Sequence, residues 1–108
     1  MDWKTETRGD RLVGQPKGRV DESNWLAFSQ ALVASIATAQ AEALTFVVDL
    51  SGVDYMSSRG LRALSTALAA AKESGVDMSL AAPGSAMRQI LAISRYDKLF
   101  TVHDTLPG

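Results

Sequence analysis

A near-continuous apolar run that reaches an aspartate, Leu44-Thr45-Phe46-Val47-Val48-Asp49-Leu50, constrains this chain more than any other stretch. Both of its faces are apolar and rich in β-branched residues, the pattern of a strand buried in the middle of a sheet. The next piece, Ser51-Gly52-Val53-Asp54-Tyr55, is dense in turn formers and reads as a short connection. Two serines, Ser57-Ser58, then stand immediately before a segment in which Leu61, Leu64 and Leu68 recur with helical spacing. They sit where a helix start leaves backbone N–H groups without partners. A strand, a connection and hydroxyls at a helix mouth make Leu44–Leu64 the one stretch equipped for chemistry or recognition.

The flanking sequence supplies the rest of a sheet. Trp3–Arg8 reads as a short strand, Gly9-Asp10 as a turn and Arg11–Pro16 as the return strand, in which Gly14 and Pro16 favour an edge position or a bulge. Gly18-Arg19-Val20-Asp21 reads as a bend, followed by three competing N-cap candidates, Asp21, Ser23 and Asn24. Trp25, Phe28, Leu32 and Ile36 then recur at intervals of three and four, predicting an amphipathic helix to about Ala39-Gln40. A second helix is expected from Ser58 to Glu73, with Leu61, Leu64, Leu68 and Ala71 as its buried stripe and Ser74-Gly75 as its stop. Val76–Ala82 reads as a strand, Pro83-Gly84-Ser85 as a helix start, and Met87, Ile90 and Leu91 as the apolar side of a third helix. Ser94-Arg95-Tyr96-Asp97 breaks the pattern, Leu99–His103 is a last strand, and Asp104–Gly108 is a tail. The order ββαβαβαβ is that of an α/β domain whose sheet is at least partly parallel.

Size and charge narrow the function classes. A chain of 108 residues suits one domain, taken as 1–108, with little room for an enclosed active-site cavity. The net charge of −1 speaks against direct nucleic-acid binding, which wants a basic face. Cysteine is absent, which removes thiolate chemistry and disulfides. The charged start, Met1-Asp2-Trp3-Lys4-Thr5-Glu6, lacks the apolar centre of a secretory signal, and no stretch approaches a membrane span. A cytoplasmic location and no membrane partner are the expectations.

Enzyme readings of Ser57-Ser58 lack their other parts. The sole histidine, His103, lies near the C-terminus in an expected edge strand, and the Gly-x-Ser-x-Gly nucleophile elbow is missing. Gly52 stands alone, without a phosphate-cradling loop. Asp49 and Asp54 are two carboxylates, a weak metal signal that reads as well as strand-end solvation and turn capping. No cofactor is implied. Asp49 is nonetheless of interest, because the carboxyl ends of strands are where ligands and partners collect in open α/β sheets. The two serines read first as N-cap candidates, yet a helix needs only one cap, and the other hydroxyl is then free to face outward. A phosphate placed on it would meet open N–H groups and the favourable end of the helix dipole, with Arg59 near enough to neutralise part of the charge.

The segment Asp49-Leu50-Ser51-Gly52-Val53-Asp54-Tyr55-Met56-Ser57-Ser58-Arg59-Gly60-Leu61-Arg62-Ala63-Leu64 resembles the signature of the STAS domain family, the anti-sigma factor antagonists. The likeness extends to Gly18-Arg19-Val20-Asp21, to Ala81-Ala82-Pro83 and to Met87-x-x-Ile90-Leu91. It implies a small α/β fold with a mixed central sheet and helices packed mainly on one side, and no catalytic activity. It further implies a phosphorylation switch at Ser58. An anti-sigma factor with serine/threonine kinase activity would bind the unmodified form and modify it, and a PP2C-type phosphatase would reverse the modification. The candidate surface for partner contact comprises Asp49, Met56, Ser57, Ser58, Arg59, Gly60 and Arg62, with Trp25 a weaker candidate; Met56 itself reads first as a core residue. Two positions depart from the family's best-known members, which carry aspartate in place of Ser57 and a small residue in place of Arg59. A scaffold or adaptor using the same surface without modification is the alternative.

Overall fold

A computed structural model describes residues 1–106; Pro107 and Gly108, the end of the expected tail, lie outside the described residues. Strands β1 (Asp2–Arg8) and β2 (Arg11–Val20) form an antiparallel hairpin in which Arg8 lies opposite Arg11. Gly9 occupies the first loop position at φ 59°, the left-handed backbone that tight hairpin turns require.

β2 is not an edge. It runs to Val20 and has β1 on one side and two successive parallel partners on the other. The first is β3 (Thr45–Asp49), paired along Arg11–Gly14, and the second is β4 (Val53–Met56), paired along Gly18–Val20. Pro16 falls in the interval between them, where its missing N–H breaks no ladder bond on that side. A bulge does occur, at Gly18/Arg19, with Gly18 at φ 91° and its N–H donating to the Gly52 carbonyl at 2.8 Å.

The remaining elements are α1 (Trp25–Glu42), α2 (Ser58–Glu73), β5 (Met78–Ala81), α3 (Ser85–Ile93), the single turn α4 (Tyr96–Leu99) and β6 (Val102–His103). The main sheet has the order β1-β2-β3-β5-β6, mixed because only the first pairing is antiparallel. Strand alternation directs Leu12, Phe46, Val48, Met78 and Leu80 into one core with Phe28, Leu32 and Ile36 of α1, Leu64 and Leu68 of α2, and Met87 and Leu91 of α3. The intervening Val13, Val47 and Ala81 are buried but lie outside that core, on the face away from the helices. The helices therefore cover one side of the sheet, as the family resemblance implies.

Three departures from the sequence reading have local causes. Val53–Met56 is a strand and not part of a turn, because β2 outlasts β3 and offers it an edge. Tyr96–Leu99 is helical where the periodicity stops, held by the aromatic stack of Tyr96 on Phe100 and by the Tyr96 hydroxyl against Ser65 Oγ at 3.3 Å. α1 continues past Gln40 to Glu42 and ends on Ala43 in the left-handed region, φ 56°.

Candidate functional site

The site is assembled at the end of β2. The Ser57 N–H donates to the Val20 carbonyl at 2.8 Å, which fixes the first residue before α2 to the strand. Ser57 has extended backbone and its Oγ accepts a hydrogen bond from the Gly60 N–H at 3.3 Å, the N-cap geometry. Its side chain is 8% exposed and spent on the helix. Ser58, the first helical residue, is exposed, and its hydroxyl makes no side-chain hydrogen bond among the described residues. Adjacent serines have separate duties: one closes the helix end, the other stands open beside it.

Gly60 explains how close this helix end comes to the sheet. A Cβ there would lie 2.6 Å from Met56 Cγ and 2.8 Å from Val20 Cγ1, so only glycine lets α2 settle on β4 and β2. Met56 is 2% exposed and belongs to the core. The alternation of β4 turns it inward, into the core role that its sequence position favours over contact with a partner. Gly60 and Ser57 are likewise buried and shape the surface from beneath.

Arg59 is engaged across the helices. Its Nε lies 3.1 Å from Glu22 Oε2, and its guanidinium sits 5.3 Å from the centre of the Trp25 ring. Trp25, Ser29, Arg59, Arg62 and Thr66 line an open groove of about 570 Å³ between the N-terminal halves of α1 and α2, with Ser58 on its wall. Trp25, the weaker candidate, is thus part of the site.

Asp49 is not. It is 9% exposed, its Oδ1 accepts the Ser51 N–H at 3.0 Å, and it lines a separate hollow with Lys4, Gln15 and Lys17. That is the turn-capping role open to it from sequence. His103 lies in β6, on the side of the sheet away from β2 and β4, where it pairs with Ala81 of β5.

Sequence reasoning missed two features. Tyr55, 37% exposed on β4, carries the Arg19 guanidinium 4.5 Å above its ring centre. An aromatic beside the two serines was the available signal. The β2–α1 corner is also tied down: the Asn24 amide donates to the Arg19 carbonyl at 2.8 Å, and the Asp21 N–H donates to Asn24 Oδ1 at 2.9 Å. Asn24 occupies the N-cap position with its side chain turned back to the strand, while the Asp21 carbonyl accepts the Trp25 N–H at 2.9 Å. The Ser23 hydroxyl and N–H both donate to Asp21 Oδ1, at 2.6 and 3.0 Å, and hold this carboxyl below its ordinary range.

Known proteins share this fold. The family model described as "Mlab, STAS domain" matches residues 7–102. An anti-sigma factor antagonist from Mycobacterium paratuberculosis superposes with a TM-score of 0.84 at 25% identity, over 97% of this chain and 86% of that one. An anti-sigma-factor antagonist (STAS) domain protein from Planctomyces limnophilus gives 0.80 at 18% identity, over 95% and 89%. The Bacillus cell fate determinant SpoIIAA in its phosphorylated form gives 0.62 at 16% identity, over 94% and 90%. Among the described residues no helix is long and apolar enough to cross a membrane. With the family match spanning nearly the whole of the described chain, the chain belongs to the STAS domain family, a family of non-catalytic regulatory domains.

Proposed function

We propose that this chain is an anti-sigma factor antagonist whose partner-binding surface is the exposed rim of the α1–α2 groove, and that reversible phosphorylation of Ser58 switches it off. The observation that carries this reading is the division between Ser57 and Ser58. With the cap already made by Ser57, Ser58 can be modified without unwinding α2. A phosphate on its hydroxyl adds about −1.5 to −2 charges beside N–H groups of the first turn, where the fold tolerates it. A partner shaped for a neutral hydroxyl between Arg59 and Arg62 then meets repulsion and an unpaired charge.

The partner is an anti-sigma factor with serine/threonine kinase activity, and a PP2C-type phosphatase restores the binding form. Incubation with a candidate kinase, ATP and Mg²⁺ should add one phosphate by intact mass, and Ser58→Ala should abolish it. Titration of the same kinase should show Ser58→Asp binding about thirtyfold more weakly than the parent chain. Equal affinity of the two forms would sink the switch. The adaptor reading, in which the same surface acts unmodified, is favoured by the engagement of Arg59 with Glu22 and Trp25, which leaves it less free to receive a phosphate. Phosphate on Ser58 in protein from the native cell would exclude it.

A further inference from the structure

We propose that two copies of this chain associate edge to edge through β1, as a two-fold antiparallel strand pair centred on Thr5. Among the described residues β1 is the outer strand of the sheet, bonded to β2 alone, so one row of its backbone groups is unpaired there. Which row follows from the hairpin. Antiparallel pairs alternate between those that exchange backbone hydrogen bonds and those that do not. Pro16, which has no N–H, lies opposite Trp3, and Arg8 and Arg11 close a two-residue loop as the bonded pair. Trp3, Thr5 and Thr7 therefore point their N–H and C=O groups outward, away from β2.

A two-fold axis at Thr5 places these same residues opposite one another, Thr5 against Thr5 and Trp3 against Thr7, as pairs that exchange hydrogen bonds. The side chains agree with the backbone. Along β1 the face away from the helices carries Asp2, Lys4, Glu6 and Arg8. Trp3 lies on the other face, where its ring meets Phe28 edge-on, 6.1 Å between centres, and Thr5 shares that face, exposed across a shallow hollow from α1. Reversing the strand about Thr5 sets Asp2 against Arg8 and Lys4 against Glu6, each twice. Every charge on that face meets its opposite, and this register commits the occupant to a second copy of the chain. The approach of Asp2 also adds an acidic neighbour to Arg8, which within the hairpin stands opposite another arginine and is paired with Glu6 at 3.2 Å.

Charges on an edge strand ordinarily discourage pairing; here their order permits pairing with one partner in one register. An edge of this length gives a weak association, so sedimentation equilibrium of the 108-residue chain is run from about 10 µM to about 1 mM. The parent chain should show a concentration-dependent monomer–dimer equilibrium. Glu6→Lys should weaken association about tenfold or more, and Lys4→Glu combined with Glu6→Lys should restore it. Thr5→Pro, which removes an outward N–H without touching the β1–β2 ladder, should be monomeric and folded by circular dichroism. A parent chain monomeric throughout would overturn the proposal. So would Glu6→Lys or Thr5→Pro associating like the parent, or a double variant that fails to recover.

Discussion

The Ser57 hydroxyl accepts the Gly60 N–H, and Gly60 in turn leaves room for the side chains of Met56 and of Val20, whose carbonyl holds the Ser57 N–H. This pair sets how α2 begins. Ser57→Ala should lower unfolding stability by about 0.5–2 kcal/mol, because it orphans a buried N–H. Ser57→Asp should keep most of it, since a carboxylate caps as well and sits at the favourable end of the dipole. Urea unfolding of both variants checks this, and equal losses would show that the cap is not what Ser57 supplies.

Gly60→Ala should cost more than its small volume suggests, about 1–3 kcal/mol. The added methyl falls on Met56 Cγ and on Val20 Cγ1, and Val20 is a stiff β-branched residue paired into the sheet. Combining it with Met56→Ala, which vacates the space, should recover part of the loss in a double-mutant cycle.

Ala43→Gly should stabilise the chain by roughly 1 kcal/mol. Ala43 is exposed and left-handed at the end of α1, φ 56°, where an L residue with a Cβ is strained and glycine is not. Thermal unfolding should move upward; an unchanged midpoint would place the strain elsewhere.

Asp21 should titrate below an ordinary aspartate, chiefly because the Ser23 hydroxyl and N–H donate to its carboxylate. Its folded pKa is depressed, so the stability it contributes is present above the unfolded value of about 3.9 and is lost as pH falls through the folded pKa. Ser23→Ala should move the folded carboxyl upward, which shrinks that contribution and completes its loss at a higher pH. Carboxyl carbon shifts followed by NMR from pH 2 to about 6 read this directly.

The parts of the fold legible in the sequence are those written in local periodicity. Phe46-Val47-Val48 announces a central strand, and Leu61, Leu64 and Leu68 announce a helix whose inner face they line with Ala63, Ala67 and Ala71, Leu61 sitting half-buried at its margin. β4 was hidden because its partner is Gly18–Val20, more than thirty residues earlier, and because Asp54 and Tyr55 at its centre both face solvent. The same distance hid the pairing of Arg59 with Glu22. Met56 reads as core more than as contact, and its membership of strand 53–56 is what turns it inward. Pro16 and Gly14 point to an edge or a bulge; a bulge falls nearby at Gly18/Arg19, and nothing local reveals that β2 changes partner between Gly14 and Gly18.

That change of partner bears on how the site could be isolated. A peptide spanning Leu44–Leu64 would contain the family signature in full, with Ser57, Ser58 and Gly60 in order. It would lack Val20, whose carbonyl holds the Ser57 N–H and whose side chain Gly60 rests against. A kinase or partner that reads the three-dimensional surface should therefore ignore that peptide, whereas one that reads linear sequence should accept it as readily as the folded chain.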